Sequence, residues 1–228
     1  MPLKLHEYAN RDDLAEALAG GVAAVLAGGV ASEGRASIAV SGGSTPALFF
    51  RHLSREPIEW SAVTVFLVDE RYVPDDTDRS NAKLVRENLL KDRAADATLV
   101  PFWRPNVSPG TACEEVARAF EQFEHGLDVC VLGMGTDGHT ASFFPDGDTY
   151  DRATDPSCPA RALPVVAESQ PETRVTLTLP PIRDARLLAL HIEGKEKRRV
   201  LDEARAGADL PITRVLSTGA EVQTFWTP

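Results

Sequence analysis

Cysteine is scarce in this chain and follows no pattern. The 228 residues hold three, Cys113, Cys130 and Cys158, with no C-x-x-C pair among them. That excludes a disulfide framework and a thioredoxin-type redox motif, and it leaves reduced thiols in a cytoplasmic protein as the expectation. Cys130 sits in the apolar run LDVCVLG, where burial is its expected role. Metal-ligand spacing is also missing: His6, His52, His125, His139 and His191 form no H-x-x-x-H or H-E-x-x-H pair, so no metal site is expected. The G-x-S-x-G elbow of a serine hydrolase is absent too. There is no Arg/Lys tract to set against the net charge of −10, which argues against nucleic acid as a partner. No continuous apolar run reaches eighteen residues. The longest Ala/Val/Leu segment, EALAGGVAAVLAGG, is broken by glycines and reads as a core helix rather than a membrane span. The opening MPLKLHEYANRDD is too polar for a secretory signal.

What the chain does contain is ordinary for a soluble globular protein, at 43% hydrophobic and 25% charged residues, and its length suits one α/β domain. Residues 10–31 read as a helix capped by Asn10 or Asp12. ASIAV (36–40) is a buried strand that runs into Gly42-Gly43. TPALFFRHLS then reads as a helix with Thr45 as cap and Pro46 in its first turn. VTVFLVDE (63–70) is a second strand, and NAKLVRENLLK is a helix capped by Ser80. TACEEVARAFEQFEHG is a helix, and LDVCVLG a strand. Residues 145–172 carry no strand pattern and read as a long loop or excursion. RVTLTLP and ARLLALHIEG are strands, KEKRRVLDEARAG is a helix, and ITRVLST and VQTFWT are short strand candidates. Strands that are apolar at every position, alternating with helices, predict a doubly wound, mainly parallel sheet flanked by helices, a modified Rossmann-like α/β fold.

Three strand ends carry polar residues. Gly133-x-Gly135-x-x-Gly138 has the spacing of a dinucleotide fingerprint. That reading needs a helix and a second strand with an acidic end, but HTASFFP meets Pro145 within a few residues and no strand pattern follows, so no dinucleotide is expected. Asp137 and His139 in the same loop suit a general base or acid, against the alternative of a structural histidine. Ser41-Gly42-Gly43-Ser44-Thr45 offers backbone N–H groups, hydroxyls and a helix N-terminus to a phosphate, or it simply caps that helix. It is no Walker loop, since no Gly-Lys-Ser/Thr follows. Asp69-Glu70-Arg71 is either a self-compensating surface cluster or a source of charge-assisted contacts to the same phosphate. All three clusters are expected at the carboxyl edge of one sheet, where open α/β folds place their sites.

In this order VSGGSTP, VDERYVP followed by Ser80-Asn81, LGMGTDGHTASFFP, TRVTLTLP and the G-x-x-K of Gly194 to Lys197 resemble the 6-phosphogluconolactonases, a branch of the superfamily that includes the glucosamine-6-phosphate deaminases. The resemblance covers most of the chain and implies a single domain over 1–228. It implies hydrolysis of 6-phosphoglucono-1,5-lactone in the oxidative pentose phosphate pathway, with His139 as general base and Asp137 orienting it. It also implies a substrate site built from Gly42, Gly43, Ser44, Thr45, Asp69, Arg71, Asn81, Gly135, Arg174 and Lys197, with Lys195 the alternative to Lys197. No cofactor or metal is implied, and the sugar-phosphate lactone is the one partner it names. Deaminases follow D-G-H with Asn-Glu-Pro and carry Asp-Glu-Tyr after the second strand. This chain has Phe143-Phe144-Pro145-Asp146 and Asp69-Glu70-Arg71, which favours the lactonase. A non-catalytic sugar-phosphate sensor is the remaining alternative, and the intact His139 and Asp137 argue against it.

Overall fold

The structure, a computed structural model, describes residues 3–228. Strand β1 (Leu3–Glu7) leads into helix α1 (Arg11–Glu33). Asn10 caps α1 by accepting from the amides of Asp12 and Asp13, and Gly34, at φ 71°, closes it with a bond to the Val30 carbonyl. The strip Leu14, Leu18, Val22, Leu26, flanked by Ala15, Ala19 and Ala23, is buried at helical spacing. α1 is long and apolar enough, by length and composition, to cross a membrane. In this fold that apolar strip packs on the sheet instead, as the core-helix reading expects.

The chain continues through β2 (Ala36–Val40), α2 (Ala47–Leu53), β3 (Val63–Leu67), β4 (Asp69–Arg71), α3 (Asn81–Asn88), β5 (Thr98–Val100), α4 (Pro109–Phe120) and β6 (Val129–Leu132). Then follow α5 (Tyr150–Ala153), β7 (Ala162–Val165), β8 (Arg174–Leu177), α6 (Leu179–Arg183), β9 (Leu187–Glu193), α7 (Lys195–Arg205), α8 (Pro211–Leu216) and β10 (Val222–Thr227). Seven strands form one sheet in the order β1-β10-β9-β6-β2-β3-β5, and every pairing in it is parallel. This is the expected α/β sheet flanked by helices. Its central strands β2 and β6 are buried at every residue, as their unbroken apolar runs require.

Several elements depart from the sequence reading. VTVFLVDE is two strands rather than one. After Val68 the chain leaves the large sheet, and Asp69–Arg71 pairs antiparallel with β8 in a second sheet of order β4-β8-β7. Val68 bridges the two sheets: its N–H donates to the Val40 carbonyl, and its own carbonyl accepts from the Leu177 N–H. A continuous apolar run does not record such a change of partner. Residues 145–172 carry helix α5 and strand β7, which the reading lacked, so the segment is an excursion with its own secondary structure. ITRVLST is helical in α8 because Pro211 occupies the first turn and Ile212, Val215 and Leu216 bury at helical spacing. Helix α2 starts after Pro46 and has no side-chain cap, so Thr45 is free of the capping role expected of it. Ser80 caps α3 as expected.

Candidate functional site

The chain runs outward from β2 to β3 and β5, then returns to β6 on the other side of β2. The β2/β6 junction is therefore the point where the winding reverses, and ligands of open α/β sheets bind outside the carboxyl ends of the strands at such a point. The glycine loop 41–46 follows β2, and the loop 133–144 follows β6. They are tied together: the Ser41 N–H donates to the Val131 carbonyl (3.0 Å), and the Gly133 N–H donates to Ser41 Oγ (3.2 Å).

The 133–144 loop is fixed along its length. Gly135 N–H donates to the His139 carbonyl (2.8 Å), Thr140 Oγ1 to the Gly133 carbonyl (2.8 Å), and Ser142 Oγ to Asp69 Oδ2 (2.7 Å). Ala141 holds a left-handed φ of 51°, which costs a non-glycine residue free energy and recurs where a loop must aim its neighbours. No helix follows the three glycines; the Gly135 and Gly138 amides donate within the loop, and the Gly133 amide donates to Ser41 Oγ.

His139 Nδ1 lies 2.6 Å from Asp137 Oδ1, which also accepts the His139 backbone N–H at 3.2 Å. Burial alone raises the Asp137 carboxyl, but the charge and hydrogen bonds of His139 outweigh it and hold Asp137 below its usual range. An ionised Asp137 only accepts, so the His139 proton sits on Nδ1 and Nε2 is the basic nitrogen. Gly135 makes room for this pair: a Cβ there would stand 2.4 Å from both Asp137 Oδ1 and His139 Nδ1. Gly135→Ala is therefore expected to lower turnover by about 10–100-fold, the scale of a misplaced catalytic group, with little change in thermal midpoint. Kinetics alongside a melting curve check this. Asp137→Asn replaces a charged acceptor with an amide and is expected to cost about 10–150-fold in kcat. The stability that Asp137 contributes through its lowered pKa is present above the unfolded carboxylate range and lost as pH falls through the folded value. The variant's acid-unfolding curve should lack that component.

The β4 carboxylates take separate tasks. Glu70 is fully buried and accepts from the N–H groups of Arg71, Asn81 and Ala82, each at 2.8 Å, and from Ser80 Oγ at 3.1 Å. Burial pushes its carboxyl up, and these four donors pull it down. Two of the donors are the first amides of α3, so Glu70 anchors that helix at its N-terminus. Asn81 in turn donates from Nδ2 to the Asp69 carbonyl (2.8 Å) and closes over Gly42, where a Cβ would fall 1.8 Å from Asn81 Oδ1. Gly42 is thus required by the side chain packed on it. The sequence reading had Arg71 neutralising Asp69 or Glu70. Instead its Nη1 donates to the Arg79 carbonyl (2.7 Å), and Arg174 is the cation near Asp69, at 3.9 Å.

These groups surround one cavity of about 290 Å³, near the small end of small-molecule sites. Gly42, Gly43, Ser44, Thr45, Asp69, Arg71, Asn81, Gly135, His139, Arg174 and Lys197 all line it, while Asp137 stands behind His139 and Lys195 is not in the wall. Arg71 and Arg174 are direct cross-strand partners on β4 and β8. Like charges so placed repel. Arg174 is buried, with its Nε lacking any partner among the described residues and its Nη2 donating to Gln170 Oε1 (2.5 Å). Burial first, and Arg71 beyond that, lower its pKa against the pull of Asp69. Two facing guanidiniums with an unmet donor concentrate positive charge here, inside a protein whose net charge is −10. Gln170, His191, Met134, Thr140 and Ala141 also line the cavity and were missed. Gln170 lies in the weakly patterned excursion and His191 inside an apolar strand, so neither carried a motif. Among the described residues no group of three or more His, Cys, Asp or Glu could hold a metal ion.

Residues 9–226 match the family described as glucosamine-6-phosphate isomerases/6-phosphogluconolactonase. The chain is 47% identical to the 6-phosphogluconolactonase of Rhizobium meliloti over the whole of both chains. It is 48% identical to that of Mesorhizobium japonicum, over 97% of this chain and 94% of the relative. The crystal structure of a 6-phosphogluconolactonase from Shewanella baltica superposes with a TM-score of 0.93 at 34% identity, covering 99% of this chain and 98% of that one. By the family match over residues 9–226 and these full-length relatives, this chain belongs to the glucosamine-6-phosphate isomerase/6-phosphogluconolactonase family.

Proposed function

We propose that the protein hydrolyses 6-phosphoglucono-1,5-lactone to 6-phosphogluconate, with His139 as the general base. The observation that carries this is that His139, backed by Asp137, and the cross-strand Arg71–Arg174 pair line the same cavity. The relatives' names fit the same substrate. The phosphate sits between the two guanidiniums and the 42–45 loop, with Lys197 completing the positive wall, and this places the lactone ring toward His139. His139 Nε2 takes a proton from water as its oxygen bonds to the lactone carbonyl carbon. The tetrahedral intermediate carries its charge on the former carbonyl oxygen, where amides of the glycine loops stabilise it. The bond from that carbon to the ring oxygen then breaks, and His139 returns the proton to the ring oxygen. The product is the open-chain acid. Asp137 keeps Nδ1 protonated throughout and stabilises the imidazolium between the two transfers.

Deamination needs a further carboxylate beside the histidine. The carboxylate nearest in sequence after His139, Asp146, is engaged elsewhere, accepting from the Ser169 N–H (2.7 Å) and Oγ (3.0 Å). Glucosamine 6-phosphate is accordingly expected to yield no ammonia above a no-enzyme control, while lactone hydrolysis runs far above its spontaneous rate. Parallel assays on one preparation decide it. Ammonia release at a substantial rate, with lactone hydrolysis at background, would reverse the assignment in favour of the deaminase.

A further inference from the structure

One residue of the lining, His191, has no task in the chemistry above. His191, in β9, is buried and lines the cavity as Lys197 does, and neither ring nitrogen has a hydrogen-bond partner among the described residues. Its ring meets Phe49 edge-on, with centroids 6.3 Å apart, so packing fixes its orientation. Its Nε2 lies 3.5 Å from Glu193 Oε1, an ion-pair distance without the geometry of a hydrogen bond. The other oxygen of Glu193, Oε2, takes Arg11 Nε at 2.8 Å. Both carboxylate oxygens thus face partners other than Lys197, namely His191 and Arg11. Lys197, one turn into α7, is half-buried and forms no ion pair among the described residues. Glu193 is still close enough to act on it: burial lowers the Lys197 pKa, and the Glu193 charge opposes that.

We infer that His191 and Arg11 hold Glu193 off Lys197, which keeps the Lys197 ammonium available to the anionic end of the substrate. His191 is then a positioning residue, acting through Glu193. Released from His191, the carboxylate would turn to the nearest unpaired cation and compete with the phosphate for it. This rests on the reading of Lys197 as a phosphate contact, and that reading is tested separately.

The experiment measures KM, kcat and thermal midpoint on 6-phosphogluconolactone and on unphosphorylated gluconolactone. Lys197→Met tests the underlying reading. It is expected to raise KM for the phosphorylated lactone about tenfold or more, the cost of a charge-assisted contact, and far more than for the unphosphorylated one. His191→Phe, which keeps the packing on Phe49, is expected to raise the same KM by about 2- to 5-fold, the scale of a partly exposed ion pair, with kcat unchanged. Adding Glu193→Gln to His191→Phe is expected to restore KM, since the amide cannot clamp Lys197. A phosphate-selective loss in Lys197→Met with no loss in His191→Phe overturns the inference alone. So does a His191→Phe defect that is equal on both substrates or is not rescued by Glu193→Gln. Equal losses on both substrates in Lys197→Met overturn the underlying reading and the inference with it. Should His191→Phe fail to fold, Arg11→Ala, on an exposed side chain, frees the other oxygen and is expected to raise the same KM in the same selective way. An unchanged KM there is equally fatal.

Discussion

Removing both guanidiniums of the facing pair, Arg71→Ala with Arg174→Ala, is expected to lower kcat/KM for 6-phosphogluconolactone on the order of 10²–10⁴-fold. The reasoning runs from the register: the two side chains stand opposite each other across β4 and β8. Without an anion between them they repel, and Arg174 keeps an Nε with no partner among the described residues. Each is expected to make a charge-assisted contact worth about 1.5–3 kcal/mol, so Arg71→Ala alone should cost roughly 10–150-fold. Unphosphorylated gluconolactone has nothing for either arginine to hold, and its kcat/KM should change far less. The ratio of the two specificity constants is the readout. An equal loss on both substrates would show that the arginines support the cavity wall and do not recognise phosphate.

His139→Ala is expected to lower kcat by about 10²–10⁴-fold, the usual contribution of a positioned general base. The fold should survive, because the His139 side chain is 37% exposed and its one side-chain hydrogen bond among the described residues is to Asp137, itself 68% exposed. The 133–144 loop keeps its backbone and hydroxyl ties to Gly133, Asp69 and Thr176 without the imidazole. KM for the phosphorylated lactone should change little, since the proposed phosphate contacts are Arg71, Arg174 and Lys197, not His139. Initial rates with the spontaneous rate subtracted, together with a melting curve, check both halves. Turnover within a few-fold of wild type would take His139 out of the mechanism.

What the sequence disclosed follows from which forces act locally. ASIAV and VCVL are readable as buried strands because every residue is apolar. The α1 stripe from Leu14 to Leu26 is readable because helix period and burial coincide. Strand β1, LKLHE, escaped notice: it is a short edge strand with no fully buried residue, and its pairing with β10 joins distant parts of the chain. The break at Val68 depends on which sheet the next residues join, a tertiary choice that no local pattern encodes. The site shows the same division. Gly42 and Gly135 were legible as loop glycines. Their actual cause, Asn81 and His139 packed where a Cβ would lie, exists only once α3 and the D-G-H loop are in place. Glu70 looked like one half of a charge cluster, and its role at the start of α3 depends on residues more than ten positions away. His191 carried no signal, since a histidine inside LLALHIE reads as part of a buried strand.

The most direct test of the central claim is a pH-stat measurement of acid release from freshly generated 6-phosphogluconolactone near neutral pH, with purified protein, with His139→Ala and with no enzyme. The expected result is rapid release by the wild type that scales with enzyme concentration, and release by His139→Ala lower by about two to four orders of magnitude. Wild-type release no faster than spontaneous hydrolysis would contradict the proposed function at its root.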